Sequence, residues 1–289
     1  MNLEKQSFYI VIINYNSSVL VTRLIHSILM YENQPQKIII VNNSPKDEDI
    51  EKLVSEQIIV LQSRSNLGFG KACNSGINWI YQTDKNGIIW LLNPDTYLIE
   101  NSLKQAEQFF IQYPEVSILG TEVYKPDETL WFGWGRFTKS DGIIIAENES
   151  LDYGNQSYLI VAWVTGCSLL INLKNFSEMP YFDPDYFLYY EDVDFCDRYS
   201  EQCHLVAVTN QIKVIHEASS ITLKYGYLRL IHNIYSNLLI LEKRTNKLVL
   251  WRILIKMIIT SFFVLPFNPK FSLSKLQGIW MYLSRKQKC

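Results

Sequence analysis

Four short apolar runs, Phe8–Ile13, Lys37–Val41, Ile58–Leu61 and Ile88–Leu92, alternate with stretches of helical spacing through the N-terminal third of the chain. That alternation predicts a βαβα arrangement around a parallel sheet. Each run ends in polar residues: Asn14-Tyr15-Asn16, Asn42-Asn43-Ser44, Ser63-Arg64-Ser65-Asn66 and Asn93-Pro94-Asp95. Turns favour such residues in any protein. Open α/β sheets, however, bind ligands just beyond the carboxyl ends of their strands, and four polar tips in succession predict one shared crevice. Beyond this region the pattern predicts a loop over 125–157 carrying Trp131, Phe132, Trp134 and Phe137, and a strand over 162–171 broken by Gly166. A helix is expected over 189–199, followed by short strands over 204–209 and 212–215 with Asn210-Gln211 as their turn.

The last part of the chain changes character. Residues 223–244 read as an amphipathic helix and 247–265 as a more apolar one, with Arg252, Lys256 and Thr260 forming a narrow polar stripe. A bilayer span needs about 20 predominantly apolar residues, whereas the longest charge-free run here, Met257 to Pro269, contains two prolines. The segment is therefore expected to lie in a membrane interface; the alternative is a helix that covers the sheet of its own domain.

Composition narrows the class. With 289 residues, 48% of them hydrophobic, the chain can bury one α/β core and an appendage. A net charge of −2 speaks against a nucleic-acid binder. The charge is unevenly spread, because Lys243, Arg244, Lys247, Arg252, Lys256, Lys270, Lys275, Arg285, Lys286 and Lys288 follow residue 242 and no acid does. Five cysteines without a C-x-x-C pair fit a reduced, cytosolic chain. The first apolar run is short and continues into Asn14-Tyr15-Asn16, so it reads as a strand and not as a signal peptide.

Candidate chemistry concentrates in three places. Asp95 follows a buried run and sits where a divalent cation and a substrate diphosphate can meet. Glu191, Asp192 and Asp194 form a second acidic cluster, and His216 follows Asp192 by 24 residues, far enough for the chain to return to the same end of a sheet. One acid for a metal, one for a proton and an imidazole ligand make a plausible catalytic kit. Gly68-Phe69-Gly70 imitates a dinucleotide fingerprint, but its third glycine would fall on Cys73 and it follows the third strand.

The segments VIINYN at 11–16, VNNSP at 41–45, NLGFGKACNSGI at 66–77, LLNPDT at 91–96, WVTGCSLLI at 163–171 and YYEDVDFCDR at 189–198 occur in an order and spacing that resemble the family 2 inverting glycosyltransferases of GT-A fold. Among these they are most similar to the rhamnosyltransferase-like branch that builds bacterial surface polysaccharides. The resemblance covers about residues 8–220, so residues 1–222 are expected to form the GT-A domain and 223–289 a helical, membrane-associating segment. It implies Asp95 and His216 as ligands of Mg²⁺ or Mn²⁺, with Asn93 standing where the family's metal motif has its first acid. Asp192 is implied as the general base beside Glu191, and Asn14, Tyr15, Asn16, Asn42, Asn66, Gly68, Asn74, Asn93, Trp163 and Gly166 as substrate contacts. Asn42 stands where the family usually carries an acid that accepts the pyrimidine imide proton; an amide oxygen can accept the same bond.

The implied reaction is inverting transfer of L-rhamnose from dTDP-L-rhamnose to a polyprenyl-diphosphate-linked saccharide, in O-antigen, capsule or cell-wall synthesis at the cytoplasmic membrane face. UDP-galactofuranose, UDP-glucose and UDP-galactose are alternative donors. A nucleotidyltransferase and a catalytically inactive membrane-associated scaffold are the rival classes, the former disfavoured by Asn14-Tyr15-Asn16 where a glycine-rich basic loop would stand.

Overall fold

The computed structural model describes residues 6–30, 37–99, 101–217 and 226–285. The four expected strands are present as β1 (Phe8–Asn14), β2 (Lys37–Asn42), β3 (Ile58–Gln62) and β4 (Ile88–Leu92). All seven residues of β1 and all five of β4 are buried, the unbroken apolar signature of strands covered on both faces. Helices α1 (Ser18–Leu29) and α2 (Phe69–Thr83) supply the crossovers. Val21, Leu24, Ile25 and Ile28 of α1 face the core at the three- and four-residue spacing of one helical stripe.

The sheet continues beyond what the apolar runs reveal. After β5 (Thr96–Leu98) and α3 (Ser102–Gln112) comes β6 (Val116–Tyr124), which pairs with both β11 (Ser168–Asn172) and β12 (Leu205–His216). The main path runs β10-β12-β6-β11-β4-β1-β2-β3, with β10 (Leu159–Ile160) at one end, and β5 and β7 (Leu130–Phe132) pairing off it. Ser117, Gly120, Thr121 and Glu122 disguise β6 as a polar segment, yet all are buried. Gly120 is required there because a Cβ would lie 2.5 Å from the side chain of Val164.

Three expectations need correction. The 125–157 region is not a loop, since it contains β7 and the hairpin of β8 (Trp134–Thr138) and β9 (Ile143–Glu147); its aromatics pack on the core. The 162–171 strand is only β11, because the chain turns before Ser168. The two short strands over 204–215 are one strand, β12, with a bulge where Thr209 and Lys213 shift register.

Helix α4 (Glu191–Glu201) begins two residues later than expected. The C-terminal helices are α5 (Gly226–Arg244), α6 (Lys247–Val264) and an unforeseen α7 (Pro269–Ser284), begun by Pro269 and capped by the Asn268 side chain. Residues 223–225 of the expected helix lie outside the described residues. Leu239 and Ile240 of α5 join the sheet's core, whereas Leu238 and Leu241 join a separate helical core with Val249, Leu254, Ile279 and Tyr282. Helix α6 packs on α5, α7 and the β8–β9 turn, where Gly142 (φ +74°) abuts Ile253 and Val249. No helix among the described residues is long and apolar enough to cross a membrane.

Candidate active site

Strand directions bring the chemistry to one edge. Strands β1 to β4 are parallel, so their C-terminal tips share an end of the sheet. Strand β11 runs antiparallel to β4 with Ser168 opposite Leu92, which places the preceding Gly166-Cys167 at that same end. Strand β12 runs with β6 and finishes there at His216, paired with Thr96.

Asp95 and His216 consequently meet. Asp95 Oδ1 and His216 Nε2 lie 3.1 Å apart, both buried, and the Glu217 N–H donates to the Asp95 carbonyl at 2.9 Å. Trp131 places its ring 4.3 Å from the imidazole in an edge-on contact. His216 Nδ1 has no hydrogen-bond partner among the described residues. Sequence reasoning assigned Trp131 to a loop; only the pairing of β7 with β6 brings it here.

The second cluster adjoins the first through two adjacent peptides. The Cys167 carbonyl accepts from the Asn93 N–H at 3.0 Å, and the Gly166 N–H donates to Asp192 Oδ2 at 3.0 Å. Asp192 Oδ1 accepts from the Val193 N–H at 2.9 Å. Gly166 leaves room for Phe69, whose ring would lie 2.9 Å from a Cβ at that position.

Glu191 turns the other way. Its Cβ packs against Gly70 of α2, its carboxyl is buried, and Oε2 has no partner among the described residues. Burial, reinforced by the neighbouring Asp192, pushes the Glu191 value up to about 8. Burial also raises Asp192, while the N–H groups of Gly166 and Val193 hold it down. Glu191 is thus the member that burial favours in its protonated form at neutral pH, while the two N–H groups on Asp192 favour its charged form. Asp194 is fully buried and bound to Arg198 and Arg244, so it ties helices together.

The strand tips form an amide network. Asn14 Nδ2 donates to Asn42 Oδ1 and to Asp47 Oδ2, each at 3.0 Å, while Asn14 Oδ1 accepts from the backbone N–H and hydroxyl of Ser17. Asn42 Nδ2 donates to Gln62 Oε1 at 2.9 Å. Asn43 Nδ2 donates to Asn66 Oδ1 at 2.9 Å, and Asn43 Oδ1 accepts from the Leu67 N–H at 2.8 Å. The sequence reading passed over Asn43, whose position between two polar neighbours was the available signal. Asn16 adopts φ +50° with its N–H on Ser44 Oγ, and Tyr15 is exposed beside it. Gly68, at φ +81°, begins α2 where a Cβ would lie 2.2 Å from the Phe187 carbonyl oxygen.

Two expected substrate contacts occupy other surroundings. Asn74 makes a reciprocal pair with the Phe182 backbone, donating at 2.8 Å and accepting at 2.7 Å. Trp163 is buried against Gly135, with its indole N–H directed at the Arg136 carbonyl at 3.3 Å. Asn93 is half-buried beside Asp95.

Comparisons with known proteins address the family and the fold. Residues 9–179 match the family described as Glycosyl transferase family 2. The chain is 22% identical over 238 residues to the N-acetylglucosaminyl-diphospho-decaprenol L-rhamnosyltransferase of Mycobacterium tuberculosis, covering 74% of this chain and 76% of that protein. Its fold is similar to that of GalNAc-T7 crystallised with UDP, GalNAc and Mn²⁺, with a TM-score of 0.62 and 12% identity over 81% of this chain, although the match spans only 48% of that structure. The mannosyltransferase PcManGT from Pyrobaculum calidifontis, in complex with GDP-Man and Mn²⁺, aligns with 99% of this chain and 89% of its own at a TM-score of 0.58 and 10% identity. The chain therefore belongs to glycosyl transferase family 2 and carries the GT-A fold in its crevice-bearing sheet.

Proposed function

We propose that this glycosyltransferase moves L-rhamnose from dTDP-L-rhamnose, with inversion, to a saccharide linked to a polyprenyl diphosphate at the cytoplasmic face of a bacterial membrane. The observation that carries the reading is the seam in which the Asp95–His216 pair and Asp192 are joined through Asn93, Cys167 and Gly166. A sugar hydroxyl is a weak nucleophile, and a carboxylate fixed by two backbone N–H groups is positioned to take its proton as the new bond forms. The name of the Mycobacterium relative, an L-rhamnosyltransferase acting on N-acetylglucosaminyl-diphospho-decaprenol, supports a rhamnosyl donor and a lipid-linked acceptor, and O-antigen, capsule or cell-wall synthesis is the pathway proposed with them.

The donor set fits a divalent cation. A carboxylate oxygen and an imidazole nitrogen 3.1 Å apart at the crevice offer two ligands, and Mg²⁺ or Mn²⁺ typically takes the remainder from substrate phosphates and water. Among the described residues no group of three or more His, Cys, Asp or Glu forms a metal cluster. When bound, the cation would offset charge on the departing nucleoside diphosphate. Asp95 and His216 would hold it, with the Trp131 ring packed against the imidazole.

The test is a panel of nucleotide sugars, with dTDP-L-rhamnose, UDP-galactofuranose, UDP-glucose and UDP-galactose compared for metal-dependent diphosphate release and transfer. The rhamnosyl donor is expected to be used best, and activity to vanish with chelator. Asp95→Ala is expected to abolish most turnover and His216→Ala to raise the metal concentration needed. Preferential use of a UDP-sugar would replace the donor, and full activity in excess chelator would remove the metal.

A further inference from the structure

Beside the start of α4 lies an open pocket of about 360 Å³, lined among the described residues by Tyr189, Gly226, Arg229, Leu230 and Asn233. Its floor is unusual backbone. Tyr189 and Tyr190 both have positive φ, +72° and +65°, a conformation that bulky residues adopt only when their surroundings compel it. The compulsion comes from α5. Arg229 Nε donates to the Tyr189 hydroxyl, Ser236 Oγ donates to the Leu188 carbonyl at 2.8 Å, and Asn233 and Asn237 hydrogen-bond the Tyr190 hydroxyl.

Arg229 differs from other arginines of the chain. Arg23, Arg136, Arg198, Arg244 and Arg285 each face a carboxylate, whereas Arg229 faces none among the described residues and is half-buried at the pocket. One nitrogen is held by Tyr189, which orients the planar guanidinium and leaves its outer N–H groups for an anion.

Tyr189 of the pocket shortly precedes Asp192 at the start of α4, whereas the Asp95–His216 pair adjoins Asp192 through Asn93, Cys167 and Gly166. A base that serves inverting displacement takes the proton of the acceptor hydroxyl, so the acceptor sugar has to lie directly beside Asp192. The same helix α5 leads directly into the basic and apolar surface of α6 and α7.

Resting on the glycosyltransferase reading above, we infer that Arg229, oriented by Tyr189 and flanked by Asn233, binds the diphosphate of the lipid-linked acceptor and so holds its sugar before Asp192. The ligand class is a prenyl diphosphate, distinct from the nucleoside diphosphate of the donor.

Titration of the full chain with farnesyl diphosphate and with farnesol, at saturating nucleoside diphosphate and Mn²⁺, tests this without requiring turnover. Wild type is expected to bind farnesyl diphosphate and to bind farnesol much more weakly. Arg229→Gln is expected to weaken farnesyl diphosphate binding about 10- to 100-fold, the worth of one or two charge-assisted hydrogen bonds, and Arg229→Lys to lose less. Nucleoside diphosphate affinity, read on the same variants, is expected to stay within about twofold, which also shows that they are folded. Unchanged farnesyl diphosphate binding by Arg229→Gln overturns the inference, as does equal weakening of both diphosphates, which would make Arg229 a donor contact. Absence of sugar transfer with every donor, alongside Arg229-dependent prenyl diphosphate binding, would overturn the reaction and leave the pocket standing.

Discussion

Glu191 turns toward α2 and Asp192 toward Gly166, so two adjacent carboxyls meet different surroundings. Under the proposed reaction, Asp192→Asn keeps its size and place but cannot accept a proton, and transfer is expected to fall at least ~100-fold with donor binding intact. Near-wild-type transfer would move the role to Glu191. Burial raises Asp192, so the acid limb of the wild-type kcat/KM profile is expected above the ordinary carboxylate range. Glu191 makes a separate stability prediction. Its folded value of about 8 exceeds its ordinary 4.5, so the folded chain binds more protons between those values and loses stability as pH rises through that window. Glu191→Gln cannot ionise, and is expected to melt near wild type at about pH 4.5 but above it at about pH 9. An equal difference at both pH values would refute the buried, neutral Glu191. The acidic pair was legible in EDVDF, but the division of labour was not, because sequence spacing does not reveal which carboxyl meets a backbone N–H.

Helix α4 is held to α5 by charges that burial makes consequential. Asp194, with no exposed surface, accepts from Arg198 at 3.3 Å and from Arg244 at 2.9 Å, and Lys243 meets Asp183 and Asp185 at 2.5 and 3.0 Å. Arg244→Ala leaves Asp194 with one partner, and is expected to cost about 3 kcal/mol, the low end for breaking a buried pair. Urea unfolding measures it; a change under about 0.5 kcal/mol, typical of a surface site, would mean that Arg198 alone suffices. Among the elements, β1 to β4 were legible because strands buried on both faces are apolar at nearly every position. Strand β6 was not, because its Thr121 and Glu122 are buried with hydrogen-bond partners supplied by Ser168, Tyr124 and Ser150 from other parts of the chain or further along it. The β8–β9 hairpin was missed for a similar reason, since its exposure alternates only loosely.

At the scale of the whole molecule, charge and apolar surface are sorted together. Leu248, Trp251, Ile255, Phe262, Phe263, Phe267 and Trp280 are exposed on α6, α7 and their connection, with Phe267 at 87%. Lys247, Arg252, Lys256 and Lys270 are exposed on the same unit, which carries no acid. Such a surface suits an anionic bilayer interface. Removing the helices would uncover Ile234, Leu238 and Leu241 of α5 and confound the result, so point changes are the sounder test. Phe263→Ser with Phe267→Ser is expected to weaken binding to anionic vesicles at least about tenfold while leaving the melting temperature unchanged, given the worth of a buried Phe. Wild-type binding is expected to fall with added salt. Equal binding by wild type and the double variant would refute the membrane face.

The sequence by itself determined the β1–β4 half of the sheet, the polar tips of its strands and the basic, acid-free character of the tail, and it singled out Asp95, Asp192 and His216 as candidates, because periodicity, strand-tip polarity and composition are local properties. Tertiary structure alone decided that His216 reaches Asp95, since this depends on β12 running through one bulged strand and pairing with β5. It also decided that Asp192 faces the crevice while Glu191 is buried, that Asn14, Asn42 and Asn43 bind one another's tips, and that Arg229 stands beside Tyr189. Each of these contacts joins residues distant in the chain, and such distances close only when strand order and helix packing are set together.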